Sequence, residues 1–218
     1  MTNEFYNLAK KAEPQLVKYL RDIVAIPSLS SDEGRVIHRI EREMRKLGFD
    51  ETRVDGMGNL IGRVGSGPRS IALDAHIDTV DVTDEELWET DPFDPVVKDG
   101  RVFGRGTADM KGFAAVFLSR LASLNTAAMD RPLYLALSYD EEVGCLGAPR
   151  MIADIRRTLP KADIALIGEP SNWKVVNGHK GGIGIATGLR GYEVHSSILH
   201  TGVNAVMEAA KLVDCIVP

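Results

Sequence analysis

The sequence predicts an α/β protein, a sheet covered by helices on both faces, followed by the opening of a second unit. Three observations carry that reading. Between residues 60 and 167, short apolar runs of strand length alternate with longer stretches of helical periodicity. Short polar loops, rich in Asp, Glu and Gly, follow the apolar runs directly. Beyond Gly178 the texture changes to Gly181-Gly182-Ile183-Gly184-Ile185, a strand-like stretch, and then a helix from Val203 to Ile216. One strand and one helix cannot bury their own apolar faces, so this second piece is expected to be incomplete. The boundary is placed between residues 178 and 179.

The elements follow in order. Phe5, Leu8, Leu16, Leu20 and Ile23 recur at near-helical spacing, and Pro27 stops that helix. Ser31-Asp32-Glu33 offers capping chemistry for a second helix with Val36, Ile40, Met44 and Leu47 on one side and Gly48 as its stop. Residues 49–54 and 60–64 read as a hairpin turning through Asp55, Gly56, Gly58 and Asn59. Residues 70–73 form a short buried strand, 110–124 a helix, 133–138 a strand, 148–159 a helix and 163–167 a further strand.

The 218 residues suffice for one substantial domain and part of another. With 44% hydrophobic and 26% charged residues the composition is that of an ordinary globular protein. A net charge of −5 gives no electrostatic footprint for nucleic acid. Cys145 and Cys215, far apart and without a partner motif, do not make a disulfide framework. The polar start lacks an apolar signal core, and no run approaches the ~20 apolar residues of a membrane span. A cytoplasmic protein without membrane contact is expected.

Four polar clusters sit at the carboxyl ends of the expected strands, where open α/β sheets keep their sites. The first holds His76 and Asp78, which alternation places on one face; His76 can ligate a metal through one ring nitrogen while Asp78 accepts from the other. A lone H-x-D is equally a satisfied core histidine. The second, residues 104–112, brings Asp109 to the start of an apolar helix, as an N-cap or as a carboxylate bridging two cations. Asp140-Glu141-Glu142 forms the third, a solvated acidic loop or a metal ligand beside a general base. In the fourth, Gly168-Glu169-Pro170, the glycine and proline favour a turn in any case, and Glu169 reaches the same edge. Together, one imidazole and several carboxylates at one sheet edge make a metal centre the economical reading. Such ligation suits zinc, cobalt or manganese.

With these residues in view, HID at 76–78, GRGTADMKG at 104–112, DEE at 140–142 and GEPS at 168–171 resemble, in order and context, the M20 metallohydrolases. The resemblance runs over essentially the whole chain. It implies a catalytic domain of zinc-exopeptidase type, a mixed sheet flanked by helices, with residues 179–218 opening an α+β lid and dimerisation domain. It implies two divalent metal ions, zinc or cobalt: His76 ligates one and is oriented by Asp78, Asp109 bridges both, Glu142 ligates the second and Glu169 the first. Glu141 is then the general base that moves a proton from the attacking water to the leaving amine, and His195 the lid histidine that stabilises the oxyanion in a partner's site. A homodimer acting on a small N-acyl amino acid follows. His38, His179 and His200 are left structural or at the surface. Thr107, the HKG at 179–181, WETDPF at 88–93 and GVNA at 202–205 are similar to the acetylornithine deacetylases, which implies deacetylation of N2-acetylornithine in arginine biosynthesis. A succinyl-diaminopimelate desuccinylase, another aminoacylase or carboxypeptidase, and a catalytically dead remnant are the alternatives.

Two departures from the family pattern stand out. Asp74 occupies a place where a small residue is usual, and Ile198-Leu199-His200 replaces a more polar lid link. The family's chain returns from the lid to complete the catalytic domain and to supply a further histidine to the second metal. This chain stops before that return, so a first site of His76, Asp109 and Glu169, a defective second site, and uncovered apolar surface are expected.

Overall fold

The computed structural model describes residues 2–122, 124, 129–159 and 161–216. The described chain forms two compact units that divide after Lys174. Among the described residues no helix is long and apolar enough to cross a membrane.

The first unit is built on a mixed five-stranded sheet. Strands β1 (Glu51–Val54) and β2 (Leu60–Val64) form an antiparallel hairpin. Its turn is closed by the Asp55 carboxylate, which accepts from the backbone N–H of Met57 (2.8 Å) and Asn59 (3.1 Å). Strand β3 (Ser70–His76) extends beyond the short run expected and carries Asp74 and His76 within it. A separate antiparallel hairpin joins β4 (Val96–Lys98) to β5 (Arg101–Phe103). The larger sheet is completed by β6 (Leu133–Ser138) and β7 (Ala162–Ile167), in the order β1-β2-β6-β3-β7. β3 runs parallel to both β6 and β7, so the carboxyl ends of all three open on one edge.

Helices cover this sheet on both faces. The last turns of α1 (Thr2–Val24), with α2 (Gly34–Lys46) and α3 (Lys111–Leu121), pack over Leu60, Leu73, Ala75, Leu135 and Leu137. Met151 and Ile155 of α4 (Ala148–Thr158), with Leu159 beyond it, pack over Ile61, Tyr134 and Ala136 on the other face. Tyr134 and Ala136 face one way and Leu135 and Leu137 the other, as period-two alternation requires. At roughly 1.5–3 kcal/mol for each large apolar side chain taken from water, these two layers supply most of the drive to fold. β7 is the exception: Ile164, Leu166 and Ile167 on this edge strand are exposed.

The structure corrects several readings. α1 contains Pro14 and presents Phe5 to solvent, and only its last turns are buried. Ser31-Asp32-Glu33 does not cap α2: Glu33 stands at the N-cap without a capping side-chain bond and turns its carboxylate elsewhere. α3 is shorter than the expected 110–124 and ends at Leu121; Ser123 lies outside the described residues. The β4–β5 hairpin escaped notice although Asp99-Gly100, both with positive φ (52° and 73°), is the dipeptide that such two-residue turns prefer.

The second unit begins at Val175. Residues 181–185 form no strand: Ile183 and Ile185 are exposed, and three glycines in five residues leave little side chain to pair or pack. Its order comes from a bridge between Tyr192 and Val203, a 3-10 turn at Ser196–Thr201, and α5 (Ala205–Ile216). The Asn204 side-chain oxygen caps α5, accepting from Val206 N–H at 2.9 Å and Met207 N–H at 3.3 Å.

Candidate metal centre

β3 delivers His76 and Asp78 to the open edge with their side chains on one face, and both are withdrawn from water (2% and 0% exposed). His76 Nδ1 lies 2.9 Å from the Asp78 carbonyl oxygen and 3.4 Å from its Oδ1. A carbonyl oxygen only accepts, so Nδ1 carries a proton, and Nε2 is the ring nitrogen left to face the open edge. Nε2 lies 3.0 Å from Asp109 Oδ1 and 3.7 Å from Glu169 Oε1. Burial opposes a charge on this ring, but Asp78, through its carboxylate and carbonyl, and Glu169 outweigh it and raise the imidazole to about 9.

Asp109 reaches the group from the turn before α3, and Met110, not Asp109, occupies the N-cap. Glu169 reaches it from the exit of β7, and both carboxylates are half exposed (54% and 49%). Gly168 passes so close to the Phe113 ring that a Cβ added there would sit 2.1 Å from it, and Gly168 N–H donates to the Asp74 carbonyl at 3.0 Å. The exit of β7 and the first turn of α3 are thus in steric contact.

Glu141 and Glu142 follow β6. Their backbone N–H groups both donate to Asp78, Glu141 to Oδ1 and Glu142 to Oδ2, each at 3.1 Å. Ser30 Oγ adds a third donor at 2.7 Å. Burial works against ionisation of Asp78, but these donors and His76 hold its carboxyl below the ordinary range. Burial raises Glu142 and Glu169; Asp109 pushes both further up and His76 opposes it. The acids therefore share one field at the mouth of the sheet. Cys145, exposed, donates its thiol to Glu141 Oε1 at 3.3 Å. Asp74, one pleat beneath His76, has its Oδ1 buried without a partner, and burial raises it to about 6.

Beneath this mouth lies a second group of acids. Glu33, Asp78 and Asp140 are buried with carboxylate oxygens within 4.8 Å of one another. Asp140 N–H donates to Glu33 Oε1 at 3.0 Å while Oε2 is buried without a partner, and burial pushes Glu33 up to about 7. Sequence reasoning missed Ser30, Ser31 and Glu33, because what they touch is remote in the chain. It also missed Lys111, fully buried inside its motif, whose Nζ donates to the Ile23 and Ile26 carbonyls at 3.0 and 2.8 Å.

The structure therefore brings His76, Asp109 and Glu169 together, with Asp78 behind them and Glu141 and Glu142 tied to Asp78. His195 belongs to the second unit. It is exposed, accepts from Ser197 N–H at 3.2 Å through Nδ1, and lies 2.8 Å from Ser197 Oγ. One imidazole nitrogen and two carboxylates, with ligand atoms all within 4.8 Å of one another, form a donor set that fits a zinc, cobalt or manganese ion.

Comparison with known proteins adds an independent finding. The model of peptidase family M20/M25/M40 matches residues 72–217. The uncharacterized protein YgeY of Escherichia coli (strain K12) is 34% identical over 206 residues, which are 94% of this chain and 51% of that protein. Acetylornithine deacetylase of Proteus mirabilis (strain HI4320) is 35% identical over 207 residues, 88% of this chain and 52% of that enzyme. The chain thus spans about half the length of the curated relatives it matches. Among solved structures, human carnosine dipeptidase 1 superimposes with a TM-score of 0.65 at 19% identity, over 74% of this chain and 40% of that one, a likeness of fold.

Proposed function

This chain belongs to peptidase family M20/M25/M40, and from that premise we propose that it carries the metal-binding part of a hydrolase that cleaves the amide bond of a small N-acyl amino acid. The observation that supports this reading is the convergence of His76, Asp109 and Glu169, from three separate elements, on the Nε2 side of a ring whose Nδ1 is already committed.

In this reading His76, Asp109 and Glu169 would hold one divalent ion, and Glu142 with Asp109 would hold a second. When bound, such ions supply Lewis acidity, polarising a carbonyl and lowering the pKa of water towards about 7. The chain's own residues do the rest. Asp78 fixes the tautomer and direction of His76 and, through two backbone N–H groups, the start of the 141–142 turn. Glu141 takes a proton from the attacking water and returns it to the leaving amine. His195 we assign to stabilisation of the developing oxyanion in a homodimer.

N2-acetylornithine is the first substrate to test, on the strength of the acetylornithine deacetylase relatives; the similarly related YgeY leaves succinyl-diaminopimelate and other acyl amino acids on the same panel. Assayed in the complete protein with added zinc or cobalt, Glu141→Gln should retain its metal and lose about 10²–10⁴-fold in turnover. Metal-loaded protein that cleaves no amide on the panel, or a Glu141→Gln variant as fast as the parent, would refute the proposal.

A further inference from the structure

The segment from Ile26 to Glu33, between α1 and α2, contributes no side chain to the group of His76, Asp109 and Glu169, yet it touches three of the four segments that carry the candidate ligands. At the exit of β3, Ser28 Oγ donates to the Ile77 carbonyl (2.8 Å), Thr79 N–H donates to the Ser28 carbonyl (2.9 Å), and Leu29 and Thr79 form a parallel bridge. Ser30 Oγ then reaches Asp78 Oδ2 at 2.7 Å. At the exit of β6, Ser31 Oγ lies 3.1 and 3.3 Å from the two Asp140 oxygens, and Glu33 accepts from Asp140 N–H. At the start of α3, Lys111 is anchored on the Ile23 and Ile26 carbonyls.

A loop with only structural duty would be satisfied by the backbone bridge at Ser28 and Leu29. This one directs the hydroxyls of Ser30 and Ser31 onto two buried carboxylates, and the Glu33 carboxylate onto the Asp140 backbone N–H. Ser31 and Asp140, which bond to each other, both hold left-handed backbone (φ 71° and 54°), a conformation that costs a non-glycine residue roughly 1–3 kcal/mol and persists where surrounding contacts enforce it. The geometry also says what the loop controls. Asp78 Oδ2 accepts from Ser30 and from Glu142 N–H, while Oδ1 accepts from Glu141 N–H and faces His76. A carboxylate is planar, so any rotation of Asp78 moves all of these partners together.

We propose that the loop from Ile26 to Glu33 is the positioning element of the metal centre, with Ser30 and Ser31 acting through Asp78 and Asp140 to hold His76 and the 140–142 turn in ligating geometry. This rests on the metal-centre reading above. Outer partners of ligating residues are worth about 10–100-fold in metal affinity, and Ser30 is the partner whose removal frees Asp78 to turn.

The test is titration of the chain with Co²⁺, read by its visible absorption, with Zn²⁺ competition for affinity. Ser30→Ala should bind about 10–100-fold more weakly and with an altered cobalt spectrum. Ser30→Thr, which keeps the hydroxyl, should restore both, and Ser31→Ala should show a smaller loss. Ile40→Val, a buried change in α2 that lowers the melting temperature and removes no hydrogen bond of the loop, is the control. If Ile40→Val weakens cobalt binding as much as Ser30→Ala at equal loss of melting temperature, or if Ser30→Ala binds like the parent, the loop is merely structural and the proposal fails. If the parent binds no cobalt, or His76→Ala binds it equally well, the metal-centre reading itself fails and takes this proposal with it.

Discussion

The two ends of the His76 ring lie in different worlds. Behind Nδ1, Asp78 is closed off from water and meets the ring together with one hydroxyl and two backbone N–H groups. Ahead of Nε2, Asp109 and Glu169 are half exposed, and burial and the Asp109 charge push Glu169 towards its neutral form. The rear is a satisfied polar network, which rigidifies. The front is a cluster of like charges, a local cost to stability of the kind that the proposed activity would require. The lesson is that one residue can belong to the core on one side and to the chemistry on the other.

That contrast can be broken by substitution. The largest effect should come from His76→Ala, which leaves Asp78 buried without its imidazole. A loss of about 3 kcal/mol in chemical denaturation of the metal-free chain is expected, and an unchanged midpoint would mean that the rear network does not depend on the ring. A smaller effect should appear in pH dependence. Burial raises Glu33 from 4.5 to about 7. A group raised on folding stabilises fully below its unfolded value, and that contribution is lost as pH rises through the folded one. Glu33→Gln cannot lose a proton, so its melting temperature relative to the parent should climb between pH 4.5 and 7; a constant difference across that window would place the ionisation elsewhere. The smallest shift should come from the front. Glu169→Gln removes one like charge from a half-exposed position, and the metal-free chain should melt about 1–2 °C higher. A decrease would show that Glu169 is part of the rigid half after all.

How legible all this was depended on whether a residue's role is local. Helical spacing revealed α2 and α4 because the burial of Val36, Ile40, Met44 and Met151 repeats along one chain segment. Strand-end position pointed to His76 and Glu169, since parallel strands must open on one edge; Asp109 joins them from the turn before α3, not from a strand of that sheet. Ser31 and Glu33 were read as a helix cap because that is what such residues do locally; their partner, Asp140, lies more than a hundred residues away, and no spacing encodes it. Residues 181–185 failed for the opposite reason: apolar isoleucines between glycines imitate a strand, but pairing requires a neighbour, and the described residues offer none. The Asp99-Gly100 turn was readable and was passed over.

Because Phe113 leaves no room for a methyl group at Gly168, the spacing between Asp109 and Glu169 is gauged by an aromatic ring that touches neither. A bulkier residue at position 168 would act as a shim between the exit of β7 and the first turn of α3, while every acidic side chain remained present. The gap between those two elements is set by a hydrogen atom where any other amino acid would have carbon.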